Sequence, residues 1–122
     1  MPEARRMSFP VFEDERGALL ATEFADVPFA VRRVFTVGYS DRAIARGNHF
    51  VPCDQLLLLV SGRVTVHLGA DDTSLNETFD LQQPGSAILV PMGLYIQYTL
   101  ADSHSRVMVL ASEPFHTAVE GS

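Results

Sequence analysis

The segment that runs from Arg46 to Gln55 contains the side chains best suited to chemistry. It places a guanidinium at Arg46, an imidazole at His49 and an amide at Gln55. Histidine is a suitable general acid or base near neutral pH, because its ordinary pKa is about 6.5. A guanidinium fork matches two oxygens of a phosphate or of a developing oxyanion. We therefore interpret His49 as a candidate catalytic base and Arg46 as its charge partner.

Two glycines follow this segment at a characteristic spacing. Gly62 comes after Gln55 with six residues between them, and Gly85 is separated from Pro91 by five residues. This pattern is similar to the spacing of the two motifs of cupin barrels, in which each motif forms one hairpin. We therefore expect an all-β fold, a jelly-roll barrel of the cupin or double-stranded β-helix type.

The metal-binding form of these motifs needs four ligands, and this sequence keeps one of them. A cupin metal site uses His-x-His, a Glu three or four residues later and a last His in the second motif. Here Val51, Gln55 and Ile96 occupy three of those positions, and only His49 matches. One imidazole and a neutral amide do not hold a divalent ion against water. We therefore expect no metal site and no cofactor.

Short β-branched and aromatic runs, bounded by Gly, Pro, Asp and Asn, must position these side chains. They predict strands at residues 9–13, 18–24, 30–38, 44–49, 55–61, 63–68, 77–81, 86–90, 95–100 and 105–111. Val64 and Val66 alternate with Thr65 and His67, which is typical of a strand with one buried face. Residues 56–60 are apolar on both faces, which predicts cover on both sides and favours a homodimer.

The composition favours one domain over residues 1–122 and argues against several classes of protein. The net charge of −6 and the lack of a basic run argue against nucleic-acid binding. No run of about 20 apolar residues could span a bilayer. The first residues lack the apolar region of a signal peptide, and the single cysteine, Cys53, cannot form an internal disulfide. We therefore expect a cytoplasmic protein without nucleic-acid or membrane partners.

Several groups of residues recur in one family of small cupins. They include Asp14-Glu15-Arg16-Gly17, Arg46-Gly47-x-His49, Ser61-Gly62-Arg63-Val64 and Pro91-x-Gly93-x-Tyr95. On these residues the chain resembles the sugar-nucleotide 3,4-ketoisomerases of deoxysugar biosynthesis, a metal-independent, WxcM-like family. The resemblance implies a dimeric jelly roll that binds a dTDP-4-keto-6-deoxyhexose. It also implies that the carbonyl moves from C4 to C3 through an enediol.

The resemblance and the residue types together assign candidate roles. His49 is the expected general base, and Tyr39, the nearest phenol on the preceding segment, is the expected proton donor. The expected substrate-binding residues are Arg46, Gly47, Gln55 and Tyr95. Among these, Gln55 would bond a sugar hydroxyl, and Tyr95 would supply a stacking surface where the family usually has Trp.

A second hypothesis rests on two apolar residues. Val51 stands where the family has its second motif histidine, and Ile96 stands where metal cupins have their last one. Both make the expected cavity more apolar than proton transfer requires. The alternative to an isomerase is therefore a sugar-nucleotide-binding cupin without turnover, acting as an accessory or regulatory subunit.

Overall fold

Short β-strands make up most of the chain that the computed structural model describes, which comprises residues 3–40, 42 and 44–114. The strands are β1 (Arg5–Ser8), β2 (Val11–Asp14), β3 (Gly17–Leu20), β4 (Arg33–Gly38), β5 (Arg46–Phe50), β6 (Gln55–Ser61), β7 (Val64–Gly69), β8 (Glu77–Leu81), β9 (Ser86–Val90), β10 (Tyr95–Leu100) and β11 (Arg106–Ala111). A short 3-10 helix covers Phe24–Asp26. Within the described residues, no helix is long and apolar enough to cross a membrane.

Two antiparallel sheets face each other and enclose the barrel. The larger sheet has the strand order β1-β9-β6-β11-β4, and the smaller has the order β5-β10-β7-β8. The β2–β3 hairpin forms a separate two-stranded sheet. Neighbouring strands are mostly distant in sequence, as in the Greek-key connections of a jelly roll. This architecture confirms the predicted all-β cupin barrel.

Alternating side chains fill the interior of the barrel. On β7, Val64 and Val66 are buried, while Thr65 and His67 lie on the opposite face of the strand. Burial of each such Val or Leu side chain contributes about 1.5–3 kcal/mol. The interior cluster consists of Val37, Val51, Leu57, Leu59, Val64, Val66, Leu68, Leu81, Ile88, Val90, Ile96, Tyr98, Leu100, Val107 and Val109. Membership of this cluster identifies the inner face of each strand.

Strand β6 is covered on both faces, as its apolar sequence predicts. Leu57 and Leu59 point into the barrel. Leu56 and Leu58 point outward into a second cluster, where Phe9 and Val27 pack on them. The cover on the outer face therefore comes in part from the N-terminal segment of the same chain.

The strand predictions are most accurate in the second half of the chain and weakest near the N-terminus. Strands β6, β8, β9 and β10 match the predicted ranges to the residue. Strand β1 was not predicted, because its sequence Arg-Arg-Met-Ser is polar and mostly exposed. It forms by pairing with the edge of β9. The strand predicted at 18–24 is shorter in the structure and ends at Leu20. Phe24, the last residue of the predicted range, instead begins the 3-10 helix.

Candidate functional site

A β-bulge in β5 brings Arg46 and His49 to the same face of the sheet. Strict alternation would put residues three apart on opposite faces. The pairing of β5 with β10 shifts register, however, so that His49 lies opposite Ile96 and Gly47 lies opposite Gln97. Asn48 is the extra residue, and its backbone has a positive φ of 60°, as does Gly47 at 83°. The bulge therefore restores a common direction for the two charged or basic side chains.

The common face of Arg46 and His49 is the inner one. His49 is paired with Ile96, and Arg46 is paired with Tyr98. Directly opposed residues of an antiparallel pair share a face. Ile96 and Tyr98 both belong to the interior cluster. The side chains of Arg46 and His49 consequently point toward the barrel interior.

A hydrogen bond to the backbone orients the imidazole. His49 Nδ1 lies 3.0 Å from the carbonyl oxygen of Phe50, which accepts the bond from the ring N–H. Because Nδ1 then carries the proton of the neutral ring, the basic lone pair is on Nε2. His49 is half-buried. The geometry suits a general base that acts through Nε2.

The interior next to His49 is apolar. Val51, two residues along the chain, is 1% exposed and belongs to the interior cluster, as does Ile96. Gln55 begins β6 beyond Val51 and points inward, because it alternates with the interior Leu57 and Leu59. Its Nε2 lies 4.0 Å from Cys53 Sγ. Gln55 is therefore near the end of β5 that is remote from Arg46.

A cavity opens at the other end of β5 and includes two of the predicted site residues. It has a volume of about 260 Å³ and is lined by Gly38, Tyr39, Ser40, Arg42, Ile44, Arg46 and Leu100. Tyr39 and Arg46 thus border the same space. His49 lies three residues further along β5 and outside this lining. A ligand in the cavity would need to extend inward along β5 to reach the imidazole.

The two tyrosines of β10 lie on opposite faces of the strand. Tyr95 lies on the outer face, where its ring contacts Phe50 edge to face with 5.1 Å between centroids. Phe50 is itself 52% exposed. Tyr95 therefore does not line the barrel interior, and its role as a stacking surface for the substrate stays a prediction. Tyr98 lies two positions from both Ile96 and Leu100, shares their face of β10 and is therefore the interior tyrosine.

Tyr98 is a functional candidate that the sequence prediction missed. Its side chain is 2% exposed, and its O–H has no acceptor among the residues that the structure describes. Burial raises the pKa of the phenol, and the positive charge and side-chain hydrogen bond of Arg46 only partly oppose that rise. The phenol therefore stays protonated at neutral pH and can donate a hydrogen bond. The parity of β10 with respect to Ile96 and Leu100 was the signal that could have identified it.

The donor set of the site offers little to a metal ion. Among the residues that the structure describes, no three or more His, Cys, Asp or Glu side chains are grouped so that they could hold one. The neighbours of His49 on the inner face are Val51 and Ile96, which have no ligand atoms.

Comparison with known proteins gives one family and a consistent set of folds. The family model described as FdtA, WxcM-like, C-terminal matches residues 3–119. No curated protein sequence matches the chain significantly.

Several solved structures share the fold. The chain is similar to QdtA, a sugar 3,4-ketoisomerase from Thermoanaerobacterium thermosaccharolyticum solved with TDP, with 24% identity, a TM-score of 0.81, and coverage of 95% of this chain and 85% of QdtA. A 3,4-ketoisomerase from Helicobacter canadensis gives 19% identity, a TM-score of 0.80, and coverage of 96% and 88%. The TDP-quinovose 3,4-ketoisomerase WlaRB from Campylobacter jejuni gives 22% identity, a TM-score of 0.75, and coverage of 98% and 92%. At these identities the likeness establishes the fold.

Proposed function

The chain belongs to the FdtA, WxcM-like, C-terminal family, and from this premise we propose that it is a sugar-nucleotide 3,4-ketoisomerase. Its substrate would be a dTDP-4-keto-6-deoxyhexose, whose carbonyl moves from C4 to C3. The observation that carries the proposal is the common inner face of Arg46 and His49, which the bulge at Gly47 and Asn48 produces. The ketoisomerase relatives, one of them solved with TDP, support the substrate class.

His49 is the base of the proposed reaction. The hydrogen at C3 is acidic because it lies next to the C4 ketone. The Nδ1 hydrogen bond to the carbonyl of Phe50 leaves Nε2 to take that proton. The resulting enediol is protonated at C4 to give the 3-keto product. Proton transfer by a positioned side chain contributes about 10²–10⁴-fold to such a rate.

Arg46 holds negative charge at the entrance to the interior. It borders the cavity of about 260 Å³, which is slightly smaller than the range of about 300–1,000 Å³ that is usual for whole ligands. The cavity therefore suits a single sugar, with the nucleotide extending toward solvent. Arg46 would bind the diphosphate or the enediolate oxygen through two parallel hydrogen bonds.

Three further residues complete the proposed site. Tyr39 borders the same cavity as Arg46 and would donate a hydrogen bond from its phenol. Gly47 allows the backbone of β5 to approach Ile96 closely. Gln55, at the other end of β5, would bond a sugar hydroxyl only if the ligand crosses the interior.

The test uses exchange of the C3 hydrogen. The protein is incubated in D2O with dTDP-4-keto-6-deoxyglucose, and NMR follows deuterium at C3 and formation of the 3-keto sugar. We expect both signals in the wild-type protein and their loss in His49→Asn. His67→Asn is the matched control, because His67 lies on the outer face and bonds Thr78 Oγ1 at 3.0 Å.

The alternative, a binding protein without turnover, makes a different prediction for the same experiment. Val51 and Ile96 are the observation behind it, because both are buried and apolar beside His49. Saturable binding of the sugar nucleotide without exchange or product would favour this alternative. Exchange that persists in His49→Asn would contradict the role of His49.

We propose that two copies form a homodimer through an apolar groove on the outer face of the larger sheet. The groove has a volume of about 350 Å³ and is lined by Leu20, Thr22, Phe24, Val34, Leu58, Val60, Met108 and Leu110. Phe24 and Val34 are 57% and 45% exposed, and exposed apolar patches of this kind favour protein interfaces. Sedimentation at micromolar concentration is expected to give a dimer for the wild type and a monomer for Val34→Glu. A monomeric wild type would contradict the proposal.

We also propose that the protein is located in the cytoplasm. Its one cysteine, Cys53, is buried and not in a disulfide, which is consistent with a reducing compartment. Fractionation of the source cells would test this, and recovery outside the cytoplasm would contradict it.

A further inference from the structure

Tyr98 combines a buried hydroxyl with a place on the inner face of the site. Its side chain is only 2% exposed, and the Arg46 guanidinium acts on its oxygen through its charge and a hydrogen bond. A guanidinium can only donate, so the O–H of Tyr98 has no acceptor among the residues that the structure describes. A buried donor without an acceptor is costly, and an oxygen of the bound ligand would supply one.

The register of β5 and β10 puts Tyr98 beside the two residues that the proposed reaction uses. Arg46 lies opposite Tyr98, and His49 lies opposite Ile96, two residues back along β10. Residues two apart on one face of a strand are separated by about 7 Å, which a hexose ring with its substituents can span. A sugar that contacts both Arg46 and His49 must therefore lie across Ile96 and Tyr98.

The reaction needs a second proton transfer, between the two oxygens. When the carbonyl moves from C4 to C3, the hydrogen on carbon moves from C3 to C4, and the hydroxyl proton moves from O3 to O4. His49 accounts for the first transfer only. Val51, where the family has a second histidine, offers no proton. Tyr39, the donor expected from the sequence, borders the cavity at the Arg46 end of β5, whose lining does not include His49.

We propose that the Tyr98 hydroxyl contacts the substrate and relays the proton between O3 and O4. This inference rests on the proposed ketoisomerase function. The hydroxyl gives its proton to O4 in the first half of the reaction and recovers a proton from O3 in the second half. Tyr98 and His49 both end the cycle in the protonation state in which they began it.

The electron pairs balance in both halves. As His49 Nε2 takes the C3 hydrogen as a proton, the C–H pair forms the C3=C4 bond. The π pair of the carbonyl moves to O4, which takes the Tyr98 proton. In the second half, His49 returns its proton to C4 and the C3=C4 pair forms the new C–H bond. The O3–H pair forms the C3=O bond, and that proton returns to the Tyr98 oxygen.

The test is Tyr98→Phe, which removes the hydroxyl and keeps the ring in the interior cluster. We expect kcat to fall about 10²-fold or more, with KM within threefold of the wild-type value and no loss of thermal stability. Thr99→Val is the matched control, because it also removes a hydroxyl from β10, at a position whose strand partner, Thr65, lies on the outer face. Its kcat is expected to stay at the wild-type value.

The outcomes separate this inference from the proposed function. Turnover by the wild type together with a kcat for Tyr98→Phe within twofold of it overturns the relay and leaves the ketoisomerase function standing. A lowered melting temperature with a raised KM and an unchanged kcat also overturns it, since that is the result of a structural role. A wild-type protein without turnover overturns both proposals.

Discussion

Replacement of Gly47 by alanine tests whether the bulge in β5 positions the site. Gly47 has φ of 83°, and a Cβ added there would lie 2.9 Å from the backbone carbonyl oxygen of Ile96. That oxygen belongs to a central strand of its sheet and cannot move as a flexible side chain could. The substitution should therefore either displace β5 from β10 or force residues 47 and 48 out of the left-handed region. Either change alters the positions of Arg46 and His49.

The expected loss of stability in Gly47→Ala has two parts, the unfavourable backbone conformation and the close contact of the added Cβ. The same substitution at Gly93 measures the first part alone. Alanine in the left-handed region costs about 1–2 kcal/mol relative to glycine. Gly93 has φ of 100°, but an added Cβ there would have no heavy atom within 4 Å. Gly93→Ala should therefore show the backbone cost alone. Gly47→Ala should cost about 1–3 kcal/mol more, which is the usual penalty for overfilling a packed site.

Urea denaturation and the C3 exchange assay measure the two consequences. We expect Gly47→Ala to lower the free energy of unfolding more than Gly93→Ala does. We also expect it to reduce turnover on the order of 10²-fold, as a misplacement of about 1 Å does, while Gly93→Ala keeps nearly full activity. Equal stability of the two variants, with full turnover by Gly47→Ala, would refute the argument that the bulge depends on this close approach.

Two further predictions concern buried hydroxyls. Ser105 is 1% exposed. Its Oγ accepts a hydrogen bond from the backbone N–H of Arg63 at 3.1 Å and donates one to Asp102 Oδ1 at 3.1 Å. Ser105→Ala should therefore lower the free energy of unfolding by about 1–3 kcal/mol, and an unchanged urea midpoint would contradict this. Burial raises the pKa of Tyr98 above its ordinary value near 10. The stability that the protonated, buried phenol contributes is therefore complete below the ordinary pKa and is lost as the pH rises through the higher pKa of the folded state. Urea midpoints measured from pH 9 to 11 should therefore decline less steeply for Tyr98→Phe than for the wild type, and parallel declines would show that Tyr98 does not titrate as argued.

The fold could be predicted from the sequence where its hydrophobic pattern is local. Strands β6 to β10 carry apolar or alternating runs that end at Gly, Pro or Asp, so their number and faces follow from period-two reasoning. Strand β1 could not be predicted, because its four residues are mostly polar and exposed. It exists only because the edge of β9 offers backbone partners, and such a long-range cause leaves no periodic signal.

The candidate site was predictable in its residue types but not in its geometry. His49 and Arg46 could be identified from the sequence, but simple alternation gives them opposite directions. Their common face depends on the bulge, whose sequence trace is only the pair Gly47-Asn48. Tyr98 was not among the predicted site residues, because the family pattern indicates Tyr95 at this strand. Parity with Ile96 and Leu100 alone indicates that Tyr98 is inside.

The loss of the second motif histidine is compatible with the proposed reaction, because a single base on one face of the sugar can serve both carbons. The imidazole that removes the C3 proton is already beside C4, and it can return the proton there without an acid on the other face. Val51 and Ile96, both buried, would slow the exchange of the imidazolium proton with bulk water between the two steps without preventing it. A substrate deuterated at C3 should then yield 3-keto product in H2O with part of the deuterium at C4. Product with no deuterium at C4 would show that the proton on His49 exchanges with solvent first, or that a second group protonates C4.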